Sequence, residues 1–371
     1  MRPADEAELA EAVAGAVGPL TVIGGGTRPV GAPVAGEALS VAGISGVELY
    51  EPGALTLVVR AGTPLEEVER VLAAEGQRLA FEPMDHRGLL GTEGVPTIGG
   101  AVAGNVSGPR RISVGACRDF MLGVRFVDGQ GAVVKNGGRV MKNVTGYDLV
   151  KLLTGSRGTL GVLSEVSLKV LPVPETSGML VLEGLDIARA VAAMARALGS
   201  PFEVTGAAHD PGAGRTLIRV EGFETQVAYR LERLAELLAD FGAAGRESDP
   251  AAVAAAWAAL RDVAPFHGVP GDVWRISCKP SDAPELAARL EAEGLLLDWG
   301  GGLIWARLPE GTDARARLGA FDGHATLVRA SEATRAALPV FPPEPAPLAA
   351  LGRGLRARFD PRGILNPGLM G

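Results

Sequence analysis

Between Val95 and Pro172 the chain sets five turn-forming segments at loop-and-strand spacing, and no other stretch constrains the fold as much. The first, Pro96-Thr97-Ile98-Gly99-Gly100-Ala101-Val102-Ala103-Gly104-Asn105, carries almost no side-chain volume. Glycine permits positive φ and close backbone approach, and N–H groups left free in a turn form an anion-binding nest. Such a segment suits a large flat ligand lying along the main chain. It is followed by Ser107-Gly108-Pro109-Arg110-Arg111, then Gly115-Ala116-Cys117-Arg118-Asp119, then Lys142-Asn143-Val144-Thr145-Gly146-Tyr147-Asp148. The last is Gly155-Ser156-Arg157-Gly158-Thr159-Leu160-Gly161-Val162. One glycine-rich run is a weak signal, and a succession of five is a much stronger one.

Upstream, Leu9, Ala12, Val13 and Ala16 stand at helical spacing in front of a buried strand, Leu20–Ile23. That strand ends in Gly24-Gly25-Gly26-Thr27, which presents several N–H groups with no side chain in the way. A pyrophosphate needs such a turn. Taken alone, the same residues also make an ordinary tight turn. Arg28 adds a positive charge beside it, and Gly31 lets the chain turn back. Leu55–Arg60 reads as a strand, and Thr63-Pro64-Leu65-Glu66 as a helix start with Thr63 as cap and Glu66 completing a capping box.

Taken together these segments resemble the FAD-binding domain of the vanillyl-alcohol oxidase, or PCMH-type, flavoproteins, and within that family the FAD-binding subunits of bacterial glycolate oxidase. The resemblance runs from Gly24-Gly25-Gly26-Thr27 to Phe359-Asp360-Pro361-Arg362-Gly363-Ile364-Leu365-Asn366-Pro367-Gly368, with a poorly matched middle. It implies that Gly24, Gly25, Gly26, Thr27, Arg28 and Gly31 hold the FAD pyrophosphate, and that Thr97, Ile98, Gly99, Gly100, Ala103, Gly104 and Asn105 lie along pyrophosphate and flavin. Ser107 and Gly108 continue that wall, and Gly158, Thr159, Gly161 and Val162 close over the cofactor. Glu82 in a Pro-flanked acidic turn, Gly146, Tyr147 and the terminal Asn366 are the remaining residues the resemblance brings to the flavin. Glu82 reads equally as an exposed carboxylate, and Tyr147 as core packing. Many relatives attach FAD through a histidine near the first glycine turn. Arg28-Pro29-Val30 follow Thr27 here and no histidine occurs before His86, so non-covalent FAD is expected, with His86 a polar loop residue.

A net charge of −7 without a Lys/Arg cluster argues against a nucleic-acid surface. Arg110-Arg111 serves equally as solvated loop charge or phosphate contact. The two cysteines, Cys117 and Cys278, give no iron–sulfur pattern and read as free thiols in a reducing compartment. Met1–Glu6 carries no apolar core region, and no apolar run approaches the roughly 20 residues of a membrane helix. A cytoplasmic protein is expected, peripheral to the inner membrane only through partners.

The expected fold class is α+β. Residues 1–172 form a two-subdomain PCMH-type FAD-binding domain, ending at Pro172-Val173-Pro174. Residues 173–340 alternate strands and helices in two similar rounds, which predicts an α+β cap around an antiparallel sheet. Residues 341–371 are a proline-rich linker, a helix over Leu348–Phe359 and a segment returning to the flavin.

Relatives that oxidise 2-hydroxy acids alone carry, by the same resemblance, paired histidines and an acid for a divalent metal, with arginines for the carboxylate. This chain has four histidines, His86, His209, His267 and His324, each isolated, so no metal site is expected and no catalytic residue is assigned. His324 and Arg329 are the cap residues to test first. The resemblance therefore points to an FAD-dependent oxidoreductase acting as a subunit, beside a catalytic flavoprotein subunit and an iron–sulfur subunit of a glycolate oxidase complex, on a small 2-hydroxy acid. A self-sufficient FAD oxidoreductase for a 2-hydroxy acid or alcohol, and a structural flavin subunit whose cofactor never turns over, are the alternatives.

Overall fold

The computed structural model describes residues 1–139 and 146–371. Lys142-Asn143-Val144-Thr145, the first part of the fourth turn-forming segment, lies outside the described residues. The N-terminal part contains two small layers. Leu20–Ile23 and Glu37–Ser40 pair in parallel, and Leu20 also bridges Leu365 near the C-terminus. Leu9 and Val13 of the Glu6–Gly15 helix, with Leu20, Leu39 and Leu365, fill the core beneath this layer. Asp5 caps that helix by accepting from Glu8 N at 2.9 Å.

The second layer is a five-stranded antiparallel sheet in the order Val47–Glu51, Thr56–Arg60, Val162–Lys169, Met121–Val127, Val133–Gly137. A hairpin turning at Gly129-Gln130-Gly131 forms its outer edge. Apolar side chains from Leu57, Val59, Phe126, Val166 and Leu168 meet Val68 and Leu72 of the Leu65–Ala73 helix. The expected capping box at the start of that helix does not form. Pro64 is the cap residue, and the buried Thr63 hydroxyl instead donates to the Arg60 carbonyl at 2.7 Å and accepts from Gly46 N at 2.9 Å.

The chain crosses from one sheet to the other between Pro172, whose strand pairs with Gln77–Arg78, and Thr176. The cap is one antiparallel sheet of eight strands in the order Ala244–Glu247, Thr176–Glu183, Arg215–Gly222, Val204–Asp210, Gly294–Asp298, Leu303–Leu308, Asp272–Cys278, Gly323–Arg329. The two rounds read from the sequence are its two halves. The Ile187–Leu198, Glu224–Leu237 and Ala283–Leu290 helices cover one face, with Met194, Leu234, Leu286 and Trp274 in the core between. The other face turns to the N-terminal part through Val273, Leu296, Leu303, Trp305 and Val328. Strand Val204–Asp210 escapes sequence reading because Gly206, Ala207 and Ala208 weaken its pattern; a Cβ at Gly206 would lie 2.7 Å from the Trp257 ring.

After Pro345 the Ala346–Phe359 helix returns to the N-terminal part, where Leu355 and Phe359 pack on its core. No helix among the described residues is long and apolar enough to cross a membrane.

Candidate functional site

A cleft of about 510 Å³ opens where the Leu20–Ile23 strand ends, within the size range of small-molecule sites. One wall is the glycine turn. The N–H groups of Gly25, Gly26 and Thr27 donate to no described residue, which leaves them available to an anion. Within the turn only Gly26 has positive φ, at 72°. Gly25 is required by crowding instead, because a Cβ there would sit 1.5 Å from the Val95 carbonyl oxygen.

The facing wall differs from the expected open nest. Ile98–Ala103 is a short helix capped by Thr97, and its first N–H groups are already engaged. Ile98 N donates to Thr63 O, Gly99 N to Ala61 O at 2.8 Å and Gly100 N to the Thr97 hydroxyl. These residues supply a flat surface rather than donors. Gly99 is needed where the helix presses on Ala61, whose Cβ would lie 2.7 Å from an added one. At Gly100 an added Cβ meets only the Thr97 hydroxyl, at 3.1 Å, so this position faces the cleft.

Of the residues expected at the site, Gly24, Gly25, Gly26, Thr27, Arg28, Gly31, Thr97, Gly99, Gly100, Ala103, Gly158, Gly161, Val162 and Asn366 line this cleft together. Asn366, 4% exposed and at φ 46°, accepts from Val22 N and donates to Arg157 O, both at 2.8 Å. It pins the C-terminal segment across the strand that delivers the glycine turn. Gly104 has an indirect role: a Cβ there would lie 1.5 Å from the Arg28 guanidinium, so its bareness gives that side chain its place.

Other expected residues lie elsewhere. Ile98 is buried in the core behind the short helix. Asn105, at φ 48°, and Ser107 hold neighbouring turns by accepting from Arg118 N and Cys117 N. Gly108 accepts a hydrogen bond from the Trp299 indole at 3.1 Å. Thr159 is buried and donates to Ser156 O, on the far side of Asn366. Tyr147 is 89% exposed, so core packing does not describe it, and neither it nor Gly146 beside it, exposed at φ 78°, lines this cleft. Glu82 leaves the cleft altogether, because two arginines capture it at the seam with the cap. Arg219 binds it through two contacts of 3.0 and 3.1 Å, and Arg110 lies 3.0 Å away. Arg110 also grips Glu221 through two 2.8 Å bonds, which settles the Arg110-Arg111 pair as neither phosphate contact nor solvated charge at its first residue. Arg329, expected as a cap test residue, is fixed by the carbonyls of Phe266, Val269 and Gly271 and is scaffold.

Two cleft residues, Arg157 and Arg335, were not singled out from sequence, and a third, His86, was expected only as a polar loop residue. His86 is buried against the cleft with Nδ1 3.2 Å from Met84 O, and burial together with Arg28 pushes it well below the usual histidine range. It is a neutral donor-acceptor there. Arg157 lines the cleft and stacks on Phe341 at 4.7 Å, while burial lowers it to about 10. Arg335 completes the rim. Burial, then Arg157 and Arg275, push Arg28 well below its ordinary value, so the cleft concentrates positive charge without a matching acid. FAD fits this arrangement: free N–H groups and cations meet two phosphates, and a side-chain-poor wall admits a flat ring.

The comparisons agree with this reading. The family described as FAD binding domain matches residues 1–137. The glycolate oxidase subunit GlcE of Escherichia coli (strain K12) is 38% identical over 355 residues, covering 95% of this chain and 92% of that one. The glycolate oxidase subunit GlcD of Bacillus subtilis (strain 168) is 35% identical over 136 residues, 36% of this chain and 27% of that one. Among solved structures, an alkyldihydroxyacetonephosphate synthase aligns with a TM-score of 0.71 and 17% identity over 99% of this chain and 76% of that one, a likeness of fold. The chain belongs to the family of the glycolate oxidase subunit GlcE, FAD-binding flavoproteins of the oxidoreductase class.

Proposed function

We propose that this chain is the FAD-binding subunit of a glycolate oxidase-like assembly and takes part in oxidising glycolate or a related small 2-hydroxy acid. The observation that carries the proposal is the cleft at Gly24–Thr27, with three unused N–H donors and two unmatched arginines, in a chain similar to GlcE over nearly its whole length. When bound, FAD supplies the acceptor for a hydride equivalent. The N–H groups of Gly25, Gly26 and Thr27 would hold its phosphate oxygens, and Arg28 would add charge-assisted contact. Gly100, whose bare α-carbon faces the cleft, would let a ring lie against main chain. Asn366 keeps Val22 and Arg157 in register on either side of it, and Leu369 and Val30 exclude water from the edge.

The subunit works beside a catalytic flavoprotein subunit of GlcD type and an iron–sulfur subunit, bound non-covalently to its own FAD. It is cytoplasmic, reaching the inner membrane only through those partners. Acid precipitation of the purified chain is expected to leave the flavin in the supernatant, and addition of the chain to its partners to restore glycolate oxidation. Rapid bleaching of the isolated chain's flavin by a 2-hydroxy acid would overturn the subunit reading in favour of a self-sufficient oxidase.

A further inference from the structure

Of the described residues that line the cofactor cleft, only Arg335 comes from the cap. It lies in the passage from Ser331 to Phe341 that follows the last cap strand. Ser331 caps the Glu332–Ala337 helix, and Thr334, 2% exposed, accepts a 3.1 Å hydrogen bond from Gly311 N. Leu327 N donates to Val340 O at 2.9 Å and Arg315 Nη1 to Phe341 O at 3.0 Å. Both ends of the passage are therefore fastened to the cap.

Two side chains of this passage reach the FAD-binding part. Arg335 Nη1 donates to Pro29 O at 3.1 Å, across 306 positions of sequence. The Phe341 ring carries the Arg157 guanidinium 4.7 Å from its centroid, and Arg157 Nη1 donates to Val30 O at 3.3 Å. Arg157 is itself held at φ 55° by its N–H bond to Ala103 O and by the Asn366 carboxamide on its carbonyl. Pro29 and Val30 come directly after Gly24–Arg28, so two arginines grip the exit of the glycine turn, one on the cap and one stacked on a ring fastened to it. Arg28, Arg157 and Arg335 form no ion pair with a described residue, and no acid is among the described residues that line the cleft. Arg335 is half-buried at the rim and keeps donors to spare after its one bond to Pro29.

We propose that Arg335 is a phosphate-binding residue supplied by the cap, and that the Ser331–Phe341 passage latches the cap onto the FAD-binding part when FAD is bound. A guanidinium matches phosphate oxygens in charge and in fork geometry, and Arg335 shares one cleft with the free N–H groups of Gly25, Gly26 and Thr27. A pyrophosphate that meets both ties the two parts together. The tie is reciprocal: FAD favours the docked cap, and a cap that cannot dock binds FAD more weakly. The inference rests on FAD lying in this cleft, and not on the assembly or the substrate proposed above.

The test is fluorescence titration of FAD into the full-length apoprotein, with ADP as a competitor that carries the pyrophosphate without the flavin. Hydrogen exchange with and without saturating FAD reads the latch. In wild type, ADP is expected to displace FAD, and FAD to slow exchange at the Leu327 and Leu338 N–H groups, which bond to Val340 O and Thr334 O. Arg335→Gln is expected to melt like wild type when free of flavin and to bind FAD and ADP at least fivefold more weakly. Its FAD affinity should depend less on salt, and FAD should no longer slow exchange in the latch. Arg335→Lys keeps the charge and should recover part of the affinity. Wild-type affinity for both ligands in Arg335→Gln overturns the proposal, as does FAD that still slows exchange in the latch of that variant as in wild type. If Arg335→Gln has no effect while ADP displaces FAD from wild type, the latch alone is wrong; if ADP displaces none, the placement of FAD in the cleft fails and the latch with it.

Discussion

The side-chain oxygen of Asn366 accepts a 2.8 Å hydrogen bond from the backbone N–H of Val22, a residue 344 positions earlier. The same carboxamide donates to Arg157 O, so one buried side chain joins the C-terminal segment, the first strand and the Gly155–Val162 turn. Both main-chain groups would be left without a partner by Asn366→Ala. Each unsatisfied buried group costs about 1–3 kcal/mol. The variant is expected to melt several degrees lower and to lose FAD in gel filtration. An unchanged melting temperature with full flavin content would show that the C-terminal segment does not brace the cleft.

Gly25 and Gly100 line the same cleft for different reasons, and substitution separates them. Gly25→Ala forces Cβ onto the Val95 carbonyl, so both folding and flavin content should fall. Gly100→Ala meets only a threonine hydroxyl and lies within a short helix, where alanine is favoured by about 1 kcal/mol. It is expected to melt no lower than wild type while binding FAD at least tenfold more weakly. Fluorescence titration of the apoprotein measures this, and wild-type affinity would remove the flavin from that wall.

What the sequence conveyed, and what it did not, follows from where each requirement originates. Gly24–Thr27 and Gly158–Gly161 were legible because backbone conformation and close approach select glycine directly, whatever the rest of the fold does. Glu82 was misplaced because its partner Arg219 lies 137 residues away, and nothing local distinguishes a carboxylate held by two arginines from one beside a flavin. His86, read as a polar loop residue, was not placed in the cleft for the same reason: nothing local shows that its loop packs against Arg28 and the glycine turn. The cap's two halves showed in their alternation of helices and strands, whereas Val204–Asp210 hid behind residues kept small for Trp257.

Glu221 receives Arg110 through two bonds and Arg78 through a third at 2.9 Å, at 6% side-chain exposure. Removing its charge leaves the half-buried Arg78 without a counter-ion and the buried Arg110 with Glu82 alone. Breaking a buried pair from one side typically costs about 3–5 kcal/mol. Glu221→Gln is expected to loosen the cap from the FAD-binding part, with faster hydrogen exchange at Arg110 and Arg219 and a lower melting temperature. Local exchange at wild-type rates would show that apolar contacts alone close the seam.

Burial raises the Asp298 carboxyl to about 7; Glu82 adds to the rise, while the Trp299 N–H, Arg219 and Arg275 oppose it. In the unfolded chain the group titrates near about 4. Between these values the native protein holds a proton that the unfolded chain has released, so this group's contribution favours folding most at low pH and is lost as pH rises through about 7. Asp298→Asn keeps the acceptor for Trp299 N, which lies 2.7 Å away, but cannot titrate. The melting temperature of wild type relative to the variant should therefore climb as pH falls from about 8 to about 5, at roughly 2–4 °C per kcal/mol. Measurements stop there, because Glu82 and Glu221, held below the usual carboxylate range by Arg219 and Arg110 against their burial, lose their contribution at still lower pH. A difference that stays flat across the range would mean that Asp298 is charged in the native protein throughout.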